Sequence, residues 1–133
     1  MQEVSGFDHV AITVADLEAT VSFYMRLFDA RTIAEYAPAG KVLVRQIAIG
    51  RAVLSIHQLG NAVELVARKP TVGSADFCLR WNDSIASASN LLRDHGVPIV
   101  EGPSPRRTSD DRASTSVYFR DTDGNLVELM AAD

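Results

Sequence analysis

The stretch Ser116-Val117-Tyr118-Phe119-Arg120-Asp121-Thr122-Asp123-Gly124-Asn125-Leu126-Val127-Glu128-Leu129-Met130 reads as a β-hairpin. Two runs rich in β-branched, aromatic and aliphatic residues flank a tight turn, where Gly124 can take a positive φ without a Cβ penalty. In the second run Leu126, Glu128 and Met130 point one way and Val127 and Leu129 the other, because strand side chains alternate. A carboxylate in an otherwise apolar strand is costly unless something pairs with it. Glu128 therefore calls for a partner, and the rest of the chain offers candidates.

Phe7 to Val14 alternates in the same way, with Val10, Ile12 and Val14 on one face and His9, Ala11 and Thr13 on the other. Asp16 has an N-cap's position, Glu18 falls in the first turn, and Leu17, Val21, Tyr24 and Phe28 recur at helical spacing. Three strands follow, over Thr32–Tyr36, Val42–Ile49 and Ala52–Leu59, separated by Pro-Ala-Gly and Gly-Arg turns. Residues 60–74 read as a linker, in which Val63 to Ala67 could form a brief extension. The pattern then restarts. Phe77, Leu79 and Trp81 alternate with Asp76, Cys78 and Arg80; Asp83 reads as the N-cap of a second helix carrying Ile85, Ala88, Leu91 and Leu92, with Gly96 as its stop. Val97–Val100 is a short strand and Gly102–Ala113 a polar loop before the hairpin.

The order strand, helix, three strands is thus written twice. His9 lies seven residues before Asp16, and Asp76 seven before Asp83. Leu54-Ser55-Ile56 answers to Val127-Glu128-Leu129, so His9, Ser55, Asp76 and Glu128 occupy equivalent places, and His57 faces the same way as Ser55. The expected helix-facing residues are Val10, Ile12, Leu54, Ile56, Phe77, Leu79, Trp81, Val127 and Leu129, all apolar. The opposite faces hold His9, Thr13, Ser55, His57, Asp76, Cys78, Arg80 and Glu128. Lysine is absent from that set, while histidine, aspartate and glutamate are metal ligands at neutral pH.

At 133 residues, 47% hydrophobic and 23% charged, the chain has the makings of one globular domain with a core. Its net charge of -4 argues against nucleic-acid or anionic-membrane partners, which need a basic face. A single cysteine excludes an intramolecular disulfide and suits a reducing cytosol. The N-terminal residues lack a signal peptide's basic and apolar regions, and no apolar run approaches the roughly 20 residues of a membrane helix. A cytoplasmic protein with a small-molecule partner is expected.

Paired βαβββ units, the Phe7-Asp8-His9-Val10-Ala11-Ile12-Thr13-Val14 strand with Phe23-Tyr24 in the helix, and Tyr118 to Glu128 together resemble the vicinal oxygen chelate superfamily of glyoxalases, bleomycin-resistance proteins and extradiol dioxygenases. Ile56-His57-Gln58, Pro70-Thr71 with Gly73-Ser74-Ala75-Asp76, and Glu101-Gly102-Pro103 are similar to a small subgroup that includes glyoxalase domain-containing protein 5 and bacterial virulence-associated relatives. The resemblance covers nearly the whole chain. It implies an α+β fold in which two βαβββ modules, about residues 5–59 and 75–131, form a curled, half-open mixed sheet around a cleft with the helices outside. It also implies a homodimer.

The resemblance places metal ligands at His9 and Glu128. Asp76 stands where glyoxalases usually carry a histidine, and Ser55 where they carry a glutamate. His9, His57 and Glu128 would make a two-histidine, one-carboxylate set for Fe, Mn, Ni or Zn, with Asp76 a fourth ligand, a partner orienting a histidine, or a general base. Each has a plainer alternative: a hydrogen-bonded strand histidine for His9, a histidine lining an empty cleft for His57, and an ion pair with Arg80 for Asp76. Cys78 reads as a small buried hydrophobe. Arg80, Arg107 and Tyr118 are candidates for substrate contact, against the alternatives of a solvated loop for Arg107 and a core position for Tyr118. The resemblance implies a glyoxalase-like lyase or isomerase that chelates two vicinal oxygens of a small α-oxo or thiol-adduct substrate, with Glu128 or Asp76 moving the proton. The alternatives are a ring-cleaving dioxygenase and a drug- or metabolite-sequestering binding protein without turnover.

Overall fold

The computed structural model describes residues 3–132. The elements run β1 (Val10–Val14), α1 (Leu17–Phe28), β2 (Arg31–Tyr36), β3 (Val44–Ile49), β4 (Ala52–Gln58), β5 (Asp76–Trp81), α2 (Ile85–Asp94), β6 (Glu101–Arg107), β7 (Ala113–Arg120) and β8 (Leu126–Ala132). The chain divides after Val72 into two compact units, and each has the βαβββ order. The sheet of the first unit has the strand order β1-β4-β3-β2, and that of the second β5-β8-β7-β6. In both, the first strand is parallel to the last and the other neighbours are antiparallel. The α+β class and the duplicated order expected from the sequence are therefore present.

In the first unit, register puts Ile12 beside Ile56, Val14 beside Gln58 and Ile47 beside Leu54. Ile12, Val14, Ile47, Leu54 and Ile56 are buried, and α1 contributes Leu17, Val21, Tyr24 and Leu27. Each such side chain contributes about 1.5–3 kcal/mol on burial. Val10 belongs to the same face but remains 45% exposed. Asp16 caps α1 as its sequence position predicts, accepting from the Ala19 N–H at 3.1 Å. The Gln58 side chain, at the end of β4, also accepts from Leu17 N–H at 2.9 Å and donates to the Ala15 carbonyl at 2.7 Å. Glu18, besides favouring the helix dipole, takes two hydrogen bonds of 2.9 Å from the Arg45 guanidinium on β3.

In the second unit, Val117, Phe119, Val127 and Leu129 are buried with Ala88 and Leu92 of α2, while Phe77, Leu79 and Trp81 are partly covered. The Trp81 indole donates to the Ser87 hydroxyl at 2.9 Å. The residue capping α2 is Ser84, which accepts from the Ser87 N–H, and not Asp83; the Asp83 carboxylate accepts instead from the Ser84 N–H. Val63 to Ala67 forms no strand.

The largest departure from the sequence reading is β6. Pro103 and Pro105 make residues 101–107 look like a loop, yet they form the outermost strand of their sheet, where a missing N–H leaves no ladder bond unmade. The Gly102–Pro103 peptide is cis, and the register shifts between Glu101 and Ser104. Gly102 is required there: at φ 96° a Cβ would lie 2.3 Å from the Ser116 carbonyl oxygen.

The hairpin turn joins the second unit together. Asn125 is 1% exposed; its amide donates to the Asp121 carboxylate at 2.9 Å and its Oδ1 accepts from Ala75 N–H at 2.9 Å. The Leu126 N–H then donates to the Ala75 carbonyl, so the start of β5 is gripped from both sides. Replacing Asn125 by Ala leaves buried partners unmade, and Asn125→Ala is expected to lose about 1–3 kcal/mol in chemical denaturation. A loss below about 0.5 kcal/mol, the range of an ordinary surface change, would contradict this role.

Candidate functional site

In the second unit, β8 presents Glu128 on the face turned away from α2. Register places Cys78 beside it on β5 and Tyr118 beside it on β7. Ser116, one pair further along β7, is fully buried, and its hydroxyl donates to Glu128 Oε2 at 2.6 Å. Asp76, at the start of β5 beside Leu126, shares this face and is exposed; among the described residues it forms no ion pair with Arg80. Cys78 is exposed rather than buried. Its protein surroundings first, and the Glu128 charge second, push its thiol pKa up to about 11, so that the thiol form prevails at neutral pH.

Tyr118 carries an arginine that the sequence did not single out. Arg106 Nε donates to its hydroxyl at 2.8 Å, with the guanidinium carbon 5.3 Å from the ring centre. Arg107, the arginine selected from the sequence, instead donates to the Asp111 carboxylate at 2.6 Å. Arg80 lies further along β5, beside Met130, and lines a cavity of about 710 Å³ with Trp81, Ser84, Ile85 and Ser114. Ser116 was not singled out from the sequence, although alternation from Tyr118 puts it on the same face. Arg106 was not singled out either, because its strand resembles a loop.

In the first unit, the corresponding face holds Ala11 beside Ser55 and Thr13 beside His57, with Gln46 on β3 beside Ser55. Ser55 is buried. His9 precedes β1, is exposed, and has its Nδ1 2.8 Å from the Asp8 carboxylate. His57 is partly buried, and burial first and the His9 charge second lower its pKa from the ordinary 6.5. A neighbour the sequence did not single out fixes its ring. Asn61 accepts from Val63 N–H at 3.0 Å and donates to the Leu43 carbonyl at 3.2 Å, which orients its amide. Its Nδ2 then faces His57 Nδ1 at 3.4 Å, a long hydrogen bond. In that arrangement Nδ1 is the acceptor and the neutral ring carries its proton on Nε2.

The two imidazoles and two carboxylates suit a divalent ion chemically. Within either unit, among the described residues, no group of three or more His, Cys, Asp or Glu is placed to hold one. No helix among the described residues is long and apolar enough to cross a membrane.

A family model described as the Glyoxalase/Bleomycin resistance protein/Dioxygenase superfamily matches residues 6–129. The chain is 37% identical over 128 residues to the glyoxalase domain-containing protein RDO1 of Mycosarcoma maydis, covering 96% of this chain and 69% of that one. It is 33% identical over 128 residues to virulence protein STM3117 of Salmonella typhimurium, covering 95% and 83%. A solved integron cassette protein from the mobile metagenome of V. cholerae matches with a TM-score of 0.88 at 34% identity, covering 100% of this chain and 99% of that chain. Two more distant solved structures share the fold alone. One is a mutant of the fosfomycin resistance protein FosX from Listeria monocytogenes, complexed with Mn(II) and dihydroxypropylphosphonic acid, at 21% identity, TM-score 0.66 and coverage of 98% and 92%. The other is TnmS3, an antibiotic binding protein from Streptomyces sp. CB03234, at 22% identity, TM-score 0.71 and coverage of 100% and 100%.

Because the folded state holds His57 below its ordinary pKa, the unfolded chain binds the extra proton as pH falls from about 6.5. Stability is therefore complete above that pH and declines below it. His57→Gln, in metal-free protein, is expected to remove part of the decline in stability between about pH 7 and pH 5. An unchanged profile would contradict the shift. Nitrogen NMR of the neutral ring should show the Nε2–H form in the wild type, and the Nδ1–H form in Asn61→Asp, whose carboxylate accepts.

Proposed function

Because this chain belongs to the glyoxalase/bleomycin resistance protein/dioxygenase superfamily, we propose that it is a metal-dependent lyase or isomerase of the glyoxalase type. Its substrate would be a small molecule with two adjacent oxygens, such as an α-oxo compound or its thiol adduct. The observation that carries the reading is Glu128, a carboxylate on the polar sheet face, held by a buried hydroxyl and flanked by Tyr118 and Cys78. The donors for the ion are His9 and Glu128, with His57 and Asp76 as further candidates; their chemistry suits Ni, Zn, Mn or Fe. When bound, such an ion polarises substrate oxygens and stabilises negative charge that develops on them.

The chain's own groups have distinct tasks in this scheme. Asp76, exposed beside Leu126, or Glu128 itself takes the proton from the carbon next to the carbonyl. His57, where it is not a ligand, donates to a substrate oxygen through the proton on Nε2. Arg106 on Tyr118, with Arg80, holds an anionic group of the substrate. Arg107, occupied by Asp111, is a weaker candidate for that contact.

A cytoplasmic homodimer fits the same reading. β1 and β5 are edge strands, and Phe7 and Val10 leave apolar surface 91% and 45% exposed.

A second reading has its own support. Ser55 stands where the repeat places a counterpart of Glu128, so one polar face lacks its carboxylate, and the antibiotic binding protein TnmS3 shares the fold. This favours a protein that sequesters a small molecule without turnover.

Titration of metal-free protein with Mn(II), Ni(II) and Zn(II) in a calorimeter separates the two. The proposed enzyme binds one ion per chain, and His9→Ala and Glu128→Ala each weaken binding by about 10-fold or more. A protein that binds none of these ions, and whose melting temperature they leave unchanged, contradicts the metalloenzyme reading.

A further inference from the structure

We propose that Ser116 is a positioning residue for Glu128. Its hydroxyl fixes the carboxylate and consumes one of its oxygens, so that Glu128 meets an ion or substrate through the other. This rests on the reading of Glu128 as a working donor, and adds which residue orients it.

Three observations support it. Ser116 is fully buried and donates to Glu128 Oε2 at 2.6 Å, so the bond is shielded from water competition. The pairing is diagonal across the strands: Ser116 lies beside Met130 and Tyr118 lies beside Glu128, all on one face. The third observation comes from the repeat. In the first unit Gln46 lies beside Ser55 and Val44 beside His57, so Val44 is the counterpart of Ser116 and Ser55 that of Glu128. Where the carboxylate is missing, the hydroxyl is missing too. The strand scaffold therefore accepts a valine at this place. A buried serine is the poorer choice for packing alone, since its hydroxyl must be satisfied. Its presence in the second unit follows the carboxylate.

Ser116→Val and Ser116→Thr form a near-isosteric pair that differs in the hydroxyl, which separates orientation from packing. Their Mn(II) affinities are measured by calorimetry on the metal-free full chain, beside wild type and Glu128→Gln, with a thermal melt of each to show that it folds. Ser116→Val is expected to bind Mn(II) about 10–100-fold more weakly than wild type, and Ser116→Thr to recover most of that loss. A purely structural serine would lower the melting temperature and leave affinity alone. Equal affinity of Ser116→Val and wild type, with Glu128→Gln weakened, overturns the positioning role and leaves the Glu128 reading standing. A wild type that binds no Mn(II), or a Glu128→Gln that binds as wild type does, overturns both. Should Ser116→Val fail to fold, Ser116→Ala replaces it against the same outcomes.

Discussion

In each unit the first strand runs parallel to the last, Val10 beside Leu54 and Asp76 beside Leu126. Parallel neighbours cannot be joined by a tight turn, so a crossover must cover one face of the sheet, and here α1 and α2 do so. That decides the rest. Ile12, Leu54 and Ile56 are buried on the helix side in one unit, and Val127 and Leu129 in the other. The alternate residues are turned to the face away from the helix, where polar groups can work without disturbing the core. In the second unit the pairing is set by the hairpin turn, since Asn125 reads the backbone of Ala75 and so fixes which residue of β5 meets Glu128.

The two units use this common plan differently. The second has a carboxylate, a buried hydroxyl that orients it, an adjacent tyrosine and an arginine on that tyrosine. The first has a serine at the carboxylate's place, a valine at the hydroxyl's, and histidines whose partners are Asp8 and Asn61. Duplication gave two equivalent frames, and the chemistry differs by the residues set into them. Cys78 illustrates how local the effects are: its residue is exposed, yet its protein surroundings first and the Glu128 charge second raise its thiol pKa.

Much of this was legible in the sequence because alternation and capping are local signals. Asp16 as a cap, the burial of Tyr24 and the face that Glu128 takes opposite to Val127 and Leu129 all follow from spacing. What could not be read depended on tertiary position. Pro103 and Pro105 disguise β6 because only its place at the sheet edge makes prolines tolerable, and with that strand hidden Arg106 could not be given a face. Ser84 and Asp83 are adjacent and both good caps, so composition could not choose between them. The Asn61 contact that sets the His57 tautomer lies in an irregular segment where periodicity says nothing. For the site, residue types and faces were visible beforehand, and hydrogen-bond partners were not.

The central claim is that Glu128 is a metal-binding carboxylate. Crystals grown with Zn(II) and measured at the zinc absorption edge test it most directly. The claim predicts an anomalous peak about 2.0–2.2 Å from one Glu128 oxygen, with Ser116 still bonded to the other. A fully occupied zinc peak elsewhere on the chain, with none at Glu128, would contradict it.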